Sequence, residues 1–219
     1  MIRRGALLAG VAAALAACGA VPESSRSAPS SAPRPAAVSH EAQMCLADLG
    51  QSGSRFAPLP DRYYGAGCAT LNTVQLSAVR GDRAELGLAN LGPVECPTAA
   101  AFAAWARYGV DRAARQLLGS PLMRIETMGS YSCRDIAGTG RRSAHARGAA
   151  IDIAAFVLAD GRRIAVAQHW AGGSDAERAF LRVIHQSACK RFGTVLGPDY
   201  NGAHRDHFHL ESAGGPFCR

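Results

Sequence analysis

Six cysteines are spread along residues 45–218 of this 219-residue chain: Cys45, Cys68, Cys96, Cys133, Cys189 and Cys218. An even set in an exported domain reads as a disulfide framework. Covalent links between distant segments narrow the possible folds more than any local propensity does. The spacing leaves the connectivity open. A bridge from Cys189 to Cys218 is expected, because it would pin the C-terminal segment to the last helix. No Cys-x-x-Cys occurs, so a zinc–thiolate site is not expected.

Export is read from the N-terminus. Arg3 and Arg4 precede an almost wholly apolar run, Ala6 to Ala17, that is too short to span a bilayer as a mature helix. The run ends in Leu15-Ala16-Ala17-Cys18-Gly19, which resembles the bacterial lipobox. That resemblance implies a signal peptide over residues 1–17 and lipidation of Cys18. With Gly19 rather than Asp next in line, it also implies anchorage at the periplasmic face of the outer membrane. Residues 18–39 are rich in Ser, Pro and Ala and read as a tether, since they cannot bury enough surface to fold. Residues 40–219 are left as one domain, long enough for a sizeable core.

The formal charge is +7. Removing residues 1–17 takes two arginines and no acid, leaving about +5. The arginines are scattered and form no basic helix, so no nucleic-acid partner is expected. A monomer is expected.

Residues 41–50 read as a short helix holding Cys45 and Leu46. Residues 52–96 are rich in Gly and Pro, with a weak strand signal from Thr73 to Val79. Pro97 marks a helix start, and Thr98 to Leu118 continues it with Phe102, Trp105, Tyr108 and Ala113 near helical spacing, up to Gly119. Alternation predicts a strand over 122–128 and another over 149–158. Asp160-Gly161 is a hairpin signal, with Arg163 to Gln168 as the returning strand. Asp175 to Lys190 reads as an amphipathic helix with Phe180, Leu181, Ile184 and Ala188 inward. Short strands are expected at Gly193–Leu196 and His207–Glu211. The mixture is an α+β fold with a mostly antiparallel sheet and flanking helices.

Two segments carry chemistry. The first runs from Ser143 through His145 to Asp152, and the second is His204-Arg205-Asp206-His207-Phe208-His209. Zinc prefers imidazole nitrogen and carboxylate oxygen, and catalytic sites use three protein ligands plus water. Residues two apart on a strand share a face, so His207 and His209 would project together. Asp152, with Ile151 and Ile153 pointing the other way, is a carboxylate among β-branched hydrophobes and needs a partner. His169 and His185 match no such pattern and read as structural. Ser143 reads either as a hydrogen-bond partner behind the site or as a turn residue.

The string SxHxxGxAxD followed by HxH resembles the clan of D-Ala-D-Ala metallopeptidases, lysostaphin-type enzymes and hedgehog domains. Over residues 44–218 the chain is also similar to the extensin-like C-terminal family. That similarity rests on SYSCR at Ser130–Arg134, SAHARGAAIDIAAF, VLGPDYN and HRDHFHLE. The resemblance implies zinc held by His145, Asp152 and His209, with the clan's type of fold. It makes His207 or Asp206 the general base and His204 a further catalytic histidine. This chain has the shorter aspartate where other members have glutamate. Arg134 falls upstream of the first ligand, where the clan's arginine binds a substrate carboxylate or orients the scissile carbonyl, and Cys133 beside it could lock its loop by a disulfide. Arg147 and Arg205 occupy variable motif positions and are expected at the surface. The implied activity is zinc-dependent hydrolysis of amide bonds in peptidoglycan stem peptides or cross-links. The rival is a non-catalytic, zinc-containing wall-binding or envelope-tethering lipoprotein, because some clan members keep the ligands without turnover.

Overall fold

Ser39 opens the first helix, its hydroxyl accepting a hydrogen bond from the Ala42 amide. A computed structural model describes residues 39–219. The signal peptide read at 1–17, the lipidation read at Cys18 and the tether up to residue 38 lie outside the described residues.

The first half of the domain holds α1 (His40–Gln51), β1 (Arg55–Pro58), β2 (Arg62–Gly65), β3 (Cys68–Thr70), β4 (Thr73–Arg80), β5 (Glu85–Ala89) and β6 (Val94–Glu95). Next come α2 (Cys96–Trp105), a π-helical turn (Ala106–Asp111), α3 (Arg112–Leu117) and β7 (Leu122–Gly129). A 3-10 turn (Ala144–Arg147) then leads into β8 (Ala150–Leu158), β9 (Arg163–Ala165), α4 (Val166–Gly172) and α5 (Asp175–Ala188). The chain closes with β10 (Thr194–Leu196), a second 3-10 turn (Gly202–His204), β11 (Phe208–Glu211) and β12 (Phe217–Cys218).

The fold is mixed α+β, as expected. The main sheet runs β1-β4-β5-β7-β8-β11-β10-β12, with β6 on β4 and β9 on β8, while β2 and β3 form a separate pair. Its ladders are antiparallel except β5–β7 and β10–β12. Trp105, Phe156 and Phe180 stack edge to face in the core, and the Trp105 indole donates to the Ile184 carbonyl, so α2, β8 and α5 meet there. Phe180, Leu181, Ile184 and Ala188 are all buried, as the helical period predicts.

Strand β8 decides which way Asp152 faces. Ile153 pairs with Thr127 and Ala155 with Glu126, leaving Ala154 without an opposite residue on β7. This bulge changes the parity of the strand. Ile151 and Ile153 before it, and Phe156 and Leu158 after it, all enter the core. Asp152 therefore lies on the other face.

Three expectations need correction. The strand read at Arg163–Gln168 ends at Ala165, and α4 begins at Val166. Val166 and Trp170, four apart, are both buried, which is a helical spacing. The helix read over Thr98–Leu118 starts at Cys96 and is interrupted by the π turn. The Gly/Pro-rich stretch holds five short strands besides β4.

All six domain cysteines are paired. Cys45–Cys96 ties α1 to α2, Cys68–Cys133 ties β3 to the loop after β7, and Cys189–Cys218 joins the end of α5 to β12. The last is the expected pair, and the second is the expected clamp beside Arg134.

Candidate metal centre

The two chemical segments meet by strand pairing. Asp152 on β8 lies directly opposite His209 on β11, while Ile151 faces Leu210 and Ile153 faces Phe208. The apolar pairs go to the core, and the carboxylate and imidazole share the open face. His145 arrives from the 3-10 turn. Ser143 caps that turn, its hydroxyl accepting from the His145 amide at 3.3 Å, so its role is in the turn. Gly148 ends the turn at φ 72°, and a Cβ there would lie 2.7 Å from the Pro93 carbonyl oxygen. Only glycine meets both demands without strain.

Three donor atoms converge. His145 Nε2 lies 3.2 Å from His209 Nδ1 and 3.1 Å from Asp152 Oδ2, and His209 Nδ1 lies 2.9 Å from Asp152 Oδ1. The outer ring nitrogens are also engaged. His145 Nδ1 meets the Ser130 carbonyl at 3.0 Å, and His209 Nε2 meets Glu211 Oε2 at 3.4 Å. A carbonyl or carboxylate only accepts, so each outer nitrogen carries the proton. In the neutral rings the two inner nitrogens then present lone pairs to each other and to a carboxylate. Three acceptors with no donor among them call for a cation or a proton. Zinc ligands at about 2.0–2.1 Å in a tetrahedron stand about 3.3–3.4 Å apart, so this triangle fits zinc with a small expansion. Without a metal the demand shows in the titration. Burial disfavours the His209 imidazolium, but the bonds to Asp152 and Glu211 outweigh it and raise the pKa to about 9. Burial also opposes ionisation of Asp152, yet His145 and His209 hold its carboxyl far below the usual range.

Three further groups surround the triangle. His207, buried just before β11, gives its Nδ1 proton to Asp206 at 2.8 Å and holds Nε2 3.6 Å from Asp152 Oδ1. His204 gives its Nδ1 proton to the Asn201 side chain at 2.8 Å, and its ring lies 5.2 Å from that of His207 and 5.8 Å from that of His209. Burial and the neighbouring His207 and His209 lower its pKa to about 4, which keeps it neutral at pH 7. The arrangement can hold a divalent cation, with the neutral His204 and a carboxylate-backed His207 beside it.

A sequence profile of the family described as extensin-like protein C-terminus matches residues 43–219. The chain belongs to that family. No curated protein and no solved structure matches it.

In this extensin-like domain Arg134 is exposed next to the Cys68–Cys133 bridge, and its backbone carbonyl accepts from the Ser143 amide. Its guanidinium has no ion-pair partner among the described residues, and its charge reaches His204. Arg147 and Arg205 are exposed, as expected. His169 bonds to the backbone at Ala165, and His185 donates to the Arg219 carbonyl, so both are structural. His185 also lies near Cys189 and Cys218, but the disulfide removes those thiolates as ligands. Sequence reasoning assigned no role to Ser130, Glu211 or Asn201. Glu211 could have been found, since it stands two residues past His209 on the same strand face. A backbone carbonyl such as that of Ser130 leaves no mark in the sequence.

Proposed function

We propose that this domain is a zinc-dependent hydrolase of amide bonds in peptidoglycan, acting on stem peptides or their cross-links. The observation that carries the reading is the convergence of two lone-pair nitrogens and a carboxylate, each imidazole fixed from behind by an acceptor. Such outer hydrogen bonds orient ligands and raise their basicity. His145, Asp152 and His209 would hold the ion, in the order that resembles the D-Ala-D-Ala metallopeptidase clan, and we assign the fold to that clan's type.

Zinc held there supplies Lewis-acid polarisation of an amide carbonyl and acidifies a coordinated water. His207 is the better general base, because Asp206 takes its Nδ1 proton and leaves Nε2 free toward the triangle. Asp206 acts through His207, orienting the ring and stabilising its charged form. His204, neutral with Nε2 free, is positioned to share the proton traffic to the leaving amine. Arg134, exposed and without an ion-pair partner among the described residues, is suited to a substrate carboxylate because its fork matches that group in two bonds.

Purified protein incubated with defined muropeptides should release cleaved peptides, lose activity to a chelator and regain it with zinc. Stoichiometric zinc with no product from any muropeptide would sink the hydrolase reading and favour the wall-binding alternative. The reading places the domain on the periplasmic face of the outer membrane, held by lipid on Cys18. Mass spectrometry of the mature N-terminus should find an acylated Cys18, and an unmodified N-terminus elsewhere would count against it.

A further inference from the structure

Two aromatic rings stand exposed in a chain of ring contacts that leads, through His204, to the donor triangle. Tyr200 is 42% exposed and Phe217 43%. Their rings lie 5.6 Å apart, and Tyr200 lies 5.5 Å from the ring of His204, which in turn neighbours His207 and His209. The rings thus form a strip that starts at the candidate metal centre and runs outward. Their backbones are fixed. The Tyr200 amide donates to the Gly197 carbonyl, the Phe217 amide to that of Gly193, and β12 pairs with β10 next to the Cys189–Cys218 bridge. Two adjoining aromatic rings exposed beside a polar site offer an apolar surface that a ligand could cover.

The sheet order gives the strip a direction. The site lies on the β8–β11 pair. The loop carrying Arg134 follows β7 on one side, and the aromatic strip belongs to the β10–β12 side. A substrate crossing the site would meet Arg134 on one flank and, on the other, the edge-to-face pair Tyr200–Phe217, with the Arg219 guanidinium 5.9 Å from the Phe217 ring. Aromatic faces are electron-rich, and the C–H face of a pyranose is the matching surface in a polymer that joins peptides to sugars. We infer that Tyr200 and Phe217 form a saccharide subsite, which seats an N-acetylated amino-sugar of the glycan strand while the attached peptide extends toward Arg134. The inference rests on the peptidoglycan reading above.

The test is a calorimetric titration of the protein with the β-1,4-linked tetramer of N-acetylglucosamine, with and without added zinc. Binding is expected in both conditions. Tyr200→Ala and Phe217→Ala should each weaken it about tenfold. Tyr200→Trp should restore it, and Tyr63→Ala, on the separate β2–β3 pair, should leave it unchanged. No binding, equal binding by wild type and both alanine variants, or a Tyr200-dependent dimer in sedimentation would overturn the assignment. The titration needs no bond cleavage. Tetramer binding with inert muropeptides would therefore remove the hydrolase and keep the subsite, and the converse result would do the reverse.

Discussion

Asp152→Ala is expected to lower bound zinc from about one equivalent to below about one tenth, as read by elemental analysis after dialysis. The argument is electrostatic as well as geometric. The substitution removes one of three donors and the only negative charge in the triangle, leaving two inner imidazole nitrogens facing each other at 3.2 Å. Their lone pairs then repel, and one ring must turn away or take a proton. Folding should survive, because Asp152 lies on the open face while Ile151 and Ile153 keep the core contacts of β8. Glu211→Gln supplies the graded control. It keeps all three donors and weakens only the bond behind His209, so zinc affinity should fall by about 10–100-fold without vanishing. Full zinc content in a folded Asp152→Ala variant would show that the ligands are misassigned.

His207→Ala should leave zinc bound and lower turnover by about 10²–10⁴-fold. Its Nε2 stands 3.6 Å from Asp152 Oδ1, next to the triangle and outside it. Asp206→Asn separates base from orienter. If His207 accepts the proton, this variant keeps a working ring that is only poorly fixed, so the loss should be smaller than for His207→Ala. If Asp206 is itself the base, its removal should cost at least as much as that of His207. Loss of zinc in His207→Ala would instead make His207 a ligand.

The three convergent residues were legible in the sequence because they occur in an ordered string of unusual residues. Three histidines in six positions and a carboxylate between isoleucines have few bland explanations. The amphipathic helix α5 was equally plain, since its apolar residues repeat at the helical period over four turns. The short strands between residues 52 and 96 were not. Each is defined by a partner far along the chain, as Arg55–Pro58 is by β4, and Gly and Pro mask what local pattern remains. The strand read past Ala165 followed the hairpin signal at Asp160-Gly161, but Val166 begins an i, i+4 pair with Trp170, and burial of that pair decided for a helix. The bulge at Ala154 was equally hidden, because an unpaired residue is a property of two strands together. Around the site, Tyr200 falls within the VLGPDYN string, but its proposed role could not be read there, because it comes from proximity to His204.

The pairing of His209 with Asp152 has a consequence for how such a domain can diverge. One residue inserted or deleted within β8 or β11 would set an isoleucine opposite His209 and turn the carboxylate inward, because side chains alternate every residue. The intervening loops obey no such rule, since the segment from Gly197 to Asp206 lies outside the ladder. Relatives can therefore lengthen, shorten or rebuild that segment, and with it Tyr200, His204 and Asp206, while the β8–β11 register keeps Asp152 opposite His209. Specificity is free to drift at the edge of a centre whose spacing is inherited whole.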